Sequence, residues 1–177
     1  MAIGAVEPAV TAGDVDALAV WGALNLVCAI AAARQGDGPA ARSAIANAHG
    51  AAARLGPDYR DLRFDTEFGA RNVAIHAVAV AVELGDPAEA LQRSKEVDTA
   101  DLSAERQARL LVDLACAHAQ RRKSAAAVRS LEAAERLAPE LVRSHWLARE
   151  TVRELLRRER GRAKPGGLEL AGRMGIL

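Results

Sequence analysis

Apolar residues recur three and four apart along almost the whole chain, and nowhere do apolar and polar positions alternate with the period of two that a half-buried strand requires. The pattern predicts helices throughout and no strands. Turn signals divide it into helices at about 14–35, 39–55, 69–84, 87–97, 104–121, 125–137 and 140–160. Several starts have a chemical cause. Asp86 is placed to cap its helix, with Pro87 at the first helical position and Glu89 able to reach back, and Ser103 and Ser124 offer capping hydroxyls. Gly56 with Pro57, Gly85 and Gly161 supply the stops, because glycine takes left-handed backbone angles and proline cannot continue the helical ladder.

The helices repeat in pairs. Three tight turns, at Gly36-Asp37, Gly85-Asp86 and Arg122-Lys123, are each followed within a few residues by an alanine: Ala41, Ala90 and Ala127. At that place a second helix passes close to the first and only a small side chain fits. In the third pair, Leu114, Ala115, His118, Ala127, Leu131, Ala134 and Pro139 fall where the tetratricopeptide repeat (TPR) has its small, large and turn residues, and the chain resembles a TPR array on these positions. Gly36 to Gly85 spans 49 residues and Gly85 to Arg122 spans 37, against about 34 for the motif, which puts an insertion at 56–68. The resemblance implies an all-α, TPR-like antiparallel helix-pair solenoid of about three pairs plus a C-terminal capping helix. Its domain plan is a flexible leader at 1–13, the repeat domain at 14–160, and a basic linker with a short capping segment at 161–177.

Composition narrows the function classes. Half of the 177 residues are hydrophobic but only 3% are aromatic, so alanine, valine and leucine must build the core. A formal net charge of +1 gives no whole-molecule reason to expect nucleic acid or an anionic membrane. The uncharged segment 17–33 is at the short limit for spanning a bilayer, is rich in alanine, and has no basic flank beyond Arg34; it reads as a buried helix. Cys28 and Cys116 lie in apolar helical patterns without metal-type spacing and read as small buried hydrophobes in a reducing cytoplasm.

A second resemblance rests on Phe68-Gly69-Ala70-Arg71-Asn72-Val73-Ala74-Ile75-His76, Val82 to Asp86, Ala117 to Arg121, Glu132 to Pro139 and Val152 to Arg158. On these stretches the chain is similar to the C-terminal TPR-like half of actinobacterial helix-turn-helix transcriptional regulators of the Xre type, with Ala70-Arg71 where that family has Pro-Thr. It implies a ligand- or partner-binding domain of a cytoplasmic regulator whose DNA-binding domain is missing from this chain. The alternative is a free-standing TPR-type protein interaction scaffold.

In a TPR stack the first helix of each pair lines a concave groove. Register places Leu26, Val27, Ile30 and Arg34 there from the first pair, Asn72, Ile75, His76, Ala79 and Glu83 from the second, and Arg109, Val112, Asp113, Cys116 and Gln120 from the third. Asn72 is then expected beside Arg109 and His76 beside Asp113. The candidate groove site is Asn72, His76, Arg109, Asp113, Glu83, Gln120 and Arg34, for a peptide, a protein or a small-molecule effector. A second reading keeps Asn72 and His76 for the backbone of the insertion. His76, Asp113 and Cys116 also form a conceivable metal set, but no HExxH, phosphate loop or set nucleophile accompanies them. The expectation is a non-enzyme with no metal and no cofactor. Arg157 to Lys164 reads as a solvated helix end, and Trp21 and Trp146 as core or capping residues. DNA is reached only through the missing domain, a membrane is not a partner, and a homodimer is compatible with the pattern.

Overall fold

In a computed structural model the chain is all-helical, and it describes residues 13–64, 66–100, 102–158 and 165–176. The leader 1–12 and most of the basic run, 159–164, lie outside the described residues. Among the described residues there is no strand. The helices are α1 (Val15–Arg34), α2 (Gly38–Leu55), α3 (Ala70–Glu83), α4 (Pro87–Arg93) with a 3-10 turn at Ser94–Glu96, α5 (Ala104–Gln120), α6 (Ser124–Leu137), α7 (Pro139–Ser144), α8 (Trp146–Arg158) and α9 (Pro165–Arg173). They form two compact units, one of residues 1–84 and 96–98, the other of 85–95 and 99–177.

In the first unit α1 and α2 make an antiparallel hairpin and α3 packs on both. Asp14 and Asp37 cap the two hairpin helices, accepting backbone N–H bonds from Asp16, Ala17 and Ala40. The hairpin core is small: Ala19, Ala48, Ala51 and Ala52 surround Leu18, Leu26 and Phe68. Further along, Ala29, Ala33, Ala41 and Ala44 meet Val80 of α3. Asn25, the lone polar residue of 17–33, is buried and bonded: its amide donates to the Trp21 carbonyl, and its side-chain oxygen accepts from Asn47 of α2. Apolar contacts are non-directional, whereas this pair fixes how α1 and α2 face each other.

In the second unit α5 and α6 form the central hairpin, α4 packs on α5, and α7 and α8 pack on the hairpin. Val112, Leu131, Val142, Val152 and Leu170 are fully buried branched side chains there. α9 lies on α8 and α6 with Leu170, Ala171 and Met174 buried, and Arg173 pairs with Glu135 at 2.8 Å.

The three tight turns share one backbone device. Gly36, Gly85 and Arg122 all have left-handed angles, with φ of 76°, 74° and 58°. At the first and third, two N–H bonds close back onto the helix: Gly36 to Ala33 and Asp37 to Ala32, then Arg122 to Ala119 and Lys123 to His118. The alanines beyond them, Ala41, Ala90 and Ala127, are all fully buried.

Four expectations are corrected. The cap before α6 is Lys123 and makes no side-chain bond, so Ser124 is the first residue of the helix and not its cap. The helix expected at 87–97 ends at Arg93 and tightens into the 3-10 turn, where the Ser94 hydroxyl bonds the Leu91 carbonyl and competes with the ladder. The single helix expected at 140–160 is two. The Ser144 hydroxyl bonds back to the carbonyls of Glu140 and Leu141, His145 is extended at ψ 118°, and Arg149 of α8 covers the freed Arg143 carbonyl at 3.1 Å. Finally, Cys28 is exposed and Cys116 half-buried instead of buried, and Trp146, read as core or capping, opens α8 and is 51% exposed. Glu89 does not need to reach back for its charge to be used: its carboxylate takes the Arg93 guanidinium one turn on, while Asp86 caps the Glu89 N–H.

Arg122 occupies a conformation that glycine holds in the two equivalent turns. Arg122→Gly should therefore stabilise the chain by about 0.5–1 kcal/mol, whereas Ala127→Leu five residues on should cost about 1–3 kcal/mol by overpacking. Thermal denaturation of both checks this, and a lower melting temperature for Arg122→Gly would contradict the equivalence of the turns.

Candidate functional site

The first unit spends its polar residues on the insertion. Asp61, buried to 3% exposure, accepts from the backbone N–H groups of Arg63, Phe64 and Thr66 and from the Thr66 hydroxyl, while its own N–H donates to the Phe68 carbonyl at 2.9 Å. Burial pushes the Asp61 carboxyl up, but these hydrogen bonds outweigh it and hold the pKa below the ordinary value. Phe68 is fully buried, and its ring lies where any side chain on Gly22 of α1 would stand; Gly69 passes so close to the Tyr59 carbonyl that a Cβ there would collide with it. Asn72 belongs to the same assembly. It is buried, its amide donates to the Thr66 carbonyl at 3.2 Å, and its own carbonyl lies 2.9 Å from Nδ1 of His76. Asn72 thus ties the loop to the first turn of α3, and His76 lies against a carbonyl of that same turn. Arg34 and Glu83 meet as an ion pair at 3.0 Å joining the ends of α1 and α3. Leu26 is core, while Val27 is 66% exposed.

In the second unit Arg109 is exposed and Asp113, one turn later on α5, is buried. Cys116 and Gln120 continue the same face and line an open cleft of about 180 Å³ between α5 and α8. Ala119 and Leu147 form its floor with buried Thr151, and Glu150, Glu154, Arg157 and Arg158 stand at its rim. The charges at the rim are bound to one another. Arg157 pairs with Glu150 at 3.1 Å and with Glu154 at 2.5 Å, holding the Glu154 carboxyl below its ordinary range, and Arg158 pairs with Glu154 and donates to the Ala119 carbonyl at 2.6 Å. The result is an apolar slot bordered by a pre-set network of donors and acceptors. The helix expected at 140–160 was assigned no part in binding, so Glu150, Thr151, Glu154, Arg157 and Arg158 were missed; the charge alternation Glu150, Arg153, Glu154, Arg157 on one helical face was their only signal.

His118 on α5 is held below its ordinary pKa by burial and then by Lys123, Arg129 and Arg121, and its Nδ1 has no partner among the described residues. Among the described residues no group of three His, Cys, Asp or Glu side chains could hold a metal ion. The pairings expected of Asn72 with Arg109 and of His76 with Asp113 join residues of different units. Comparison with protein-family models, with curated proteins and with solved structures returns no match.

Because its folded-state pKa is depressed, Asp61 contributes stability that is complete above about pH 4 and is lost as the pH falls through the folded value. Asp61→Asn should lower the urea midpoint at pH 7 by the equivalent of about 1–3 kcal/mol and flatten the decline below about pH 4, since the amide has one accepting oxygen in place of two and does not titrate. A variant as acid-sensitive as the parent would remove Asp61 from the account.

Proposed function

We propose that this chain is the partner-binding, regulatory half of a helix-turn-helix type transcription regulator, built on TPR-like helix pairs, and that the α5/α8 cleft is where the partner docks. One observation carries the reading: Cys116 and Gln120, assigned to a groove by repeat register, line a cleft whose other wall is the charged face of α8. The shared left-handed turns and the buried alanines after them support the TPR-like register. The resemblance at Phe68 to His76, Val82 to Asp86 and Val152 to Arg158 supports the regulator. The slot is smaller than the about 300–1,000 Å³ of a typical small-molecule pocket, which favours a peptide or helix inserting one apolar side chain over a metabolite. A free-standing scaffold would use the same cleft and differs only in what the binding event controls.

Panning a random peptide library against the chain should enrich peptides with one aliphatic or aromatic anchor flanked by charge. Their addition should shift the backbone amide resonances of 116–120 and 147–158, and Gln120→Ala should weaken them by about tenfold or more with melting unchanged. Enriched peptides that perturb only the first unit, or that ignore Gln120→Ala, would contradict the assignment.

A further inference from the structure

Two of the three tight turns are built alike, and the third departs from them. Gly36-Asp37 and Gly85-Asp86 put glycine at the left-handed position and an aspartate at the cap, where Asp37 accepts from the Ala40 N–H at 3.0 Å and Asp86 from the Glu89 N–H at 2.9 Å. In the third turn Arg122 holds the left-handed position and Lys123 the cap, which makes no side-chain bond. A cation there opposes the positive end of the α6 dipole, which the other two turns meet with a carboxylate. The neighbouring sequence does not supply one. Between Asp113 and Glu132 the chain has no acidic residue, while it carries Arg121, Arg122, Lys123 and Arg129. All four are exposed, and none makes an ion pair or a side-chain hydrogen bond among the described residues. Three of them converge: Lys123, Arg129 and Arg121 stand close enough to His118 that their charge adds to burial in holding its ring below the ordinary pKa. Like charges gathered in this way work against the fold, and a local conflict with no internal compensation marks a functional surface.

We infer that the α5/α6 turn is a docking surface for a short acidic segment of a partner protein, whose carboxylates supply the negative charge that this turn lacks. Three of the four cations are arginines, whose planar fork takes a carboxylate with two parallel N–H bonds. The extent of the patch selects a short segment over nucleic acid. Arg129 lies five residues beyond Ser124 and the next charge on α6 is Glu132, so the cations end roughly 8 Å into the helix. A duplex is held through about 6–10 phosphates along a longer track. No aromatic side chain lies between Asp113 and Glu132 to stack on a base, and a net charge of +1 draws in no polyanion from a distance. A few carboxylates match four cations. Exposed contacts of this kind are individually weak and screened by salt, so the segment binds weakly and in a salt-dependent way. The inference stands on the α5/α6 turn alone and is independent of the α5/α8 cleft.

Titration of the isotope-labelled whole chain with octaglutamate, followed by NMR, tests it. At about 20 mM NaCl the amide resonances of 121–129 should move, and affinity should fall about tenfold or more by about 0.3 M NaCl. Bound carboxylates offset the cations, so the His118 ring should titrate at higher pH with the peptide than without it. Arg122→Gly combined with Lys123→Asp rebuilds the turn of the other two repeats. It should weaken binding by about tenfold or more while the melting temperature holds or rises, a pair of outcomes that a merely structural role would not give. Arg129→Gln, at an exposed position, is the second variant and should weaken binding severalfold with melting unchanged. An absence of shifts at 121–129, an unmoved His118, or a doubly substituted chain that binds like the parent would each overturn the proposal. So would a mixed-sequence duplex of about 20 base pairs, or phosphatidylglycerol vesicles, engaging 121–129 more tightly than octaglutamate, in favour of nucleic acid or of a lipid surface.

Discussion

Close approach between helices, allowed by missing side chains, is the constraint on which the rest of this structure depends. With so few aromatic residues the chain cannot fill wide gaps between helices, and dispersion falls off steeply when facing surfaces stand apart. It closes the gaps instead. Ala41, Ala90 and Ala127 stand fully buried after the tight turns, and the α1/α2 interface is alanine on both sides. The one large ring that is completely buried, Phe68, is seated against the bare backbone of Gly22. From that contact the insertion is hung: Asp61 gathers the N–H groups of its turn, Gly69 passes the Tyr59 carbonyl, and Asn72 carries the bonding into α3.

This explains how the two units use their polar residues differently. In the first unit Asn25, Asp61 and Asn72 are deeply buried and bonded to backbone groups, and Asn25 and Asp61 also to the side chains of Asn47 and Thr66, which makes them directional locks within an otherwise smooth alanine surface. In the second unit the polar side chains at the α5/α8 cleft pair on its rim, where they are partly exposed, and they leave the apolar floor open.

The sequence was most informative where backbone geometry leaves few choices. Helical periodicity gave the all-α class, Gly36 and Gly85 marked turns that need positive φ, and Asp86-Pro87 and Ser103 marked helix starts whose caps are present. It was least informative where several outcomes share one pattern. α1 is apolar around its whole circumference, so periodicity could not tell which side Cys28 faced. Ser124 offered a capping hydroxyl, but the closing of the turn onto His118 and Ala119 makes Lys123 the cap. The break at His145 has no glycine or proline to announce it and arises from the Ser144 hydroxyl and from Arg149 covering a freed carbonyl. Cys116 and Gln120, which register assigns to a groove, line the α5 side of the cleft. Register had no way to find the α8 side, because that helix belongs to no complete pair. Asn72 and His76 carried two readings in the sequence; the Thr66 carbonyl supplies a partner in the insertion for Asn72, while His76 meets the Asn72 carbonyl within α3.

If close approach at Gly22 is what seats Phe68, the two residues must be coupled energetically. A double-mutant cycle measures this directly: Gly22→Ala, Phe68→Leu and the pair, each by urea denaturation. A methyl on Gly22 would stand 2.1 Å from the tip of the Phe68 ring, so Gly22→Ala should cost about 1–3 kcal/mol in the parent and far less once the ring is replaced by the smaller leucine. A coupling energy of about 1 kcal/mol or more, with the double variant more stable than the sum of the singles, is the result the account predicts. Additivity within about 0.5 kcal/mol would contradict it.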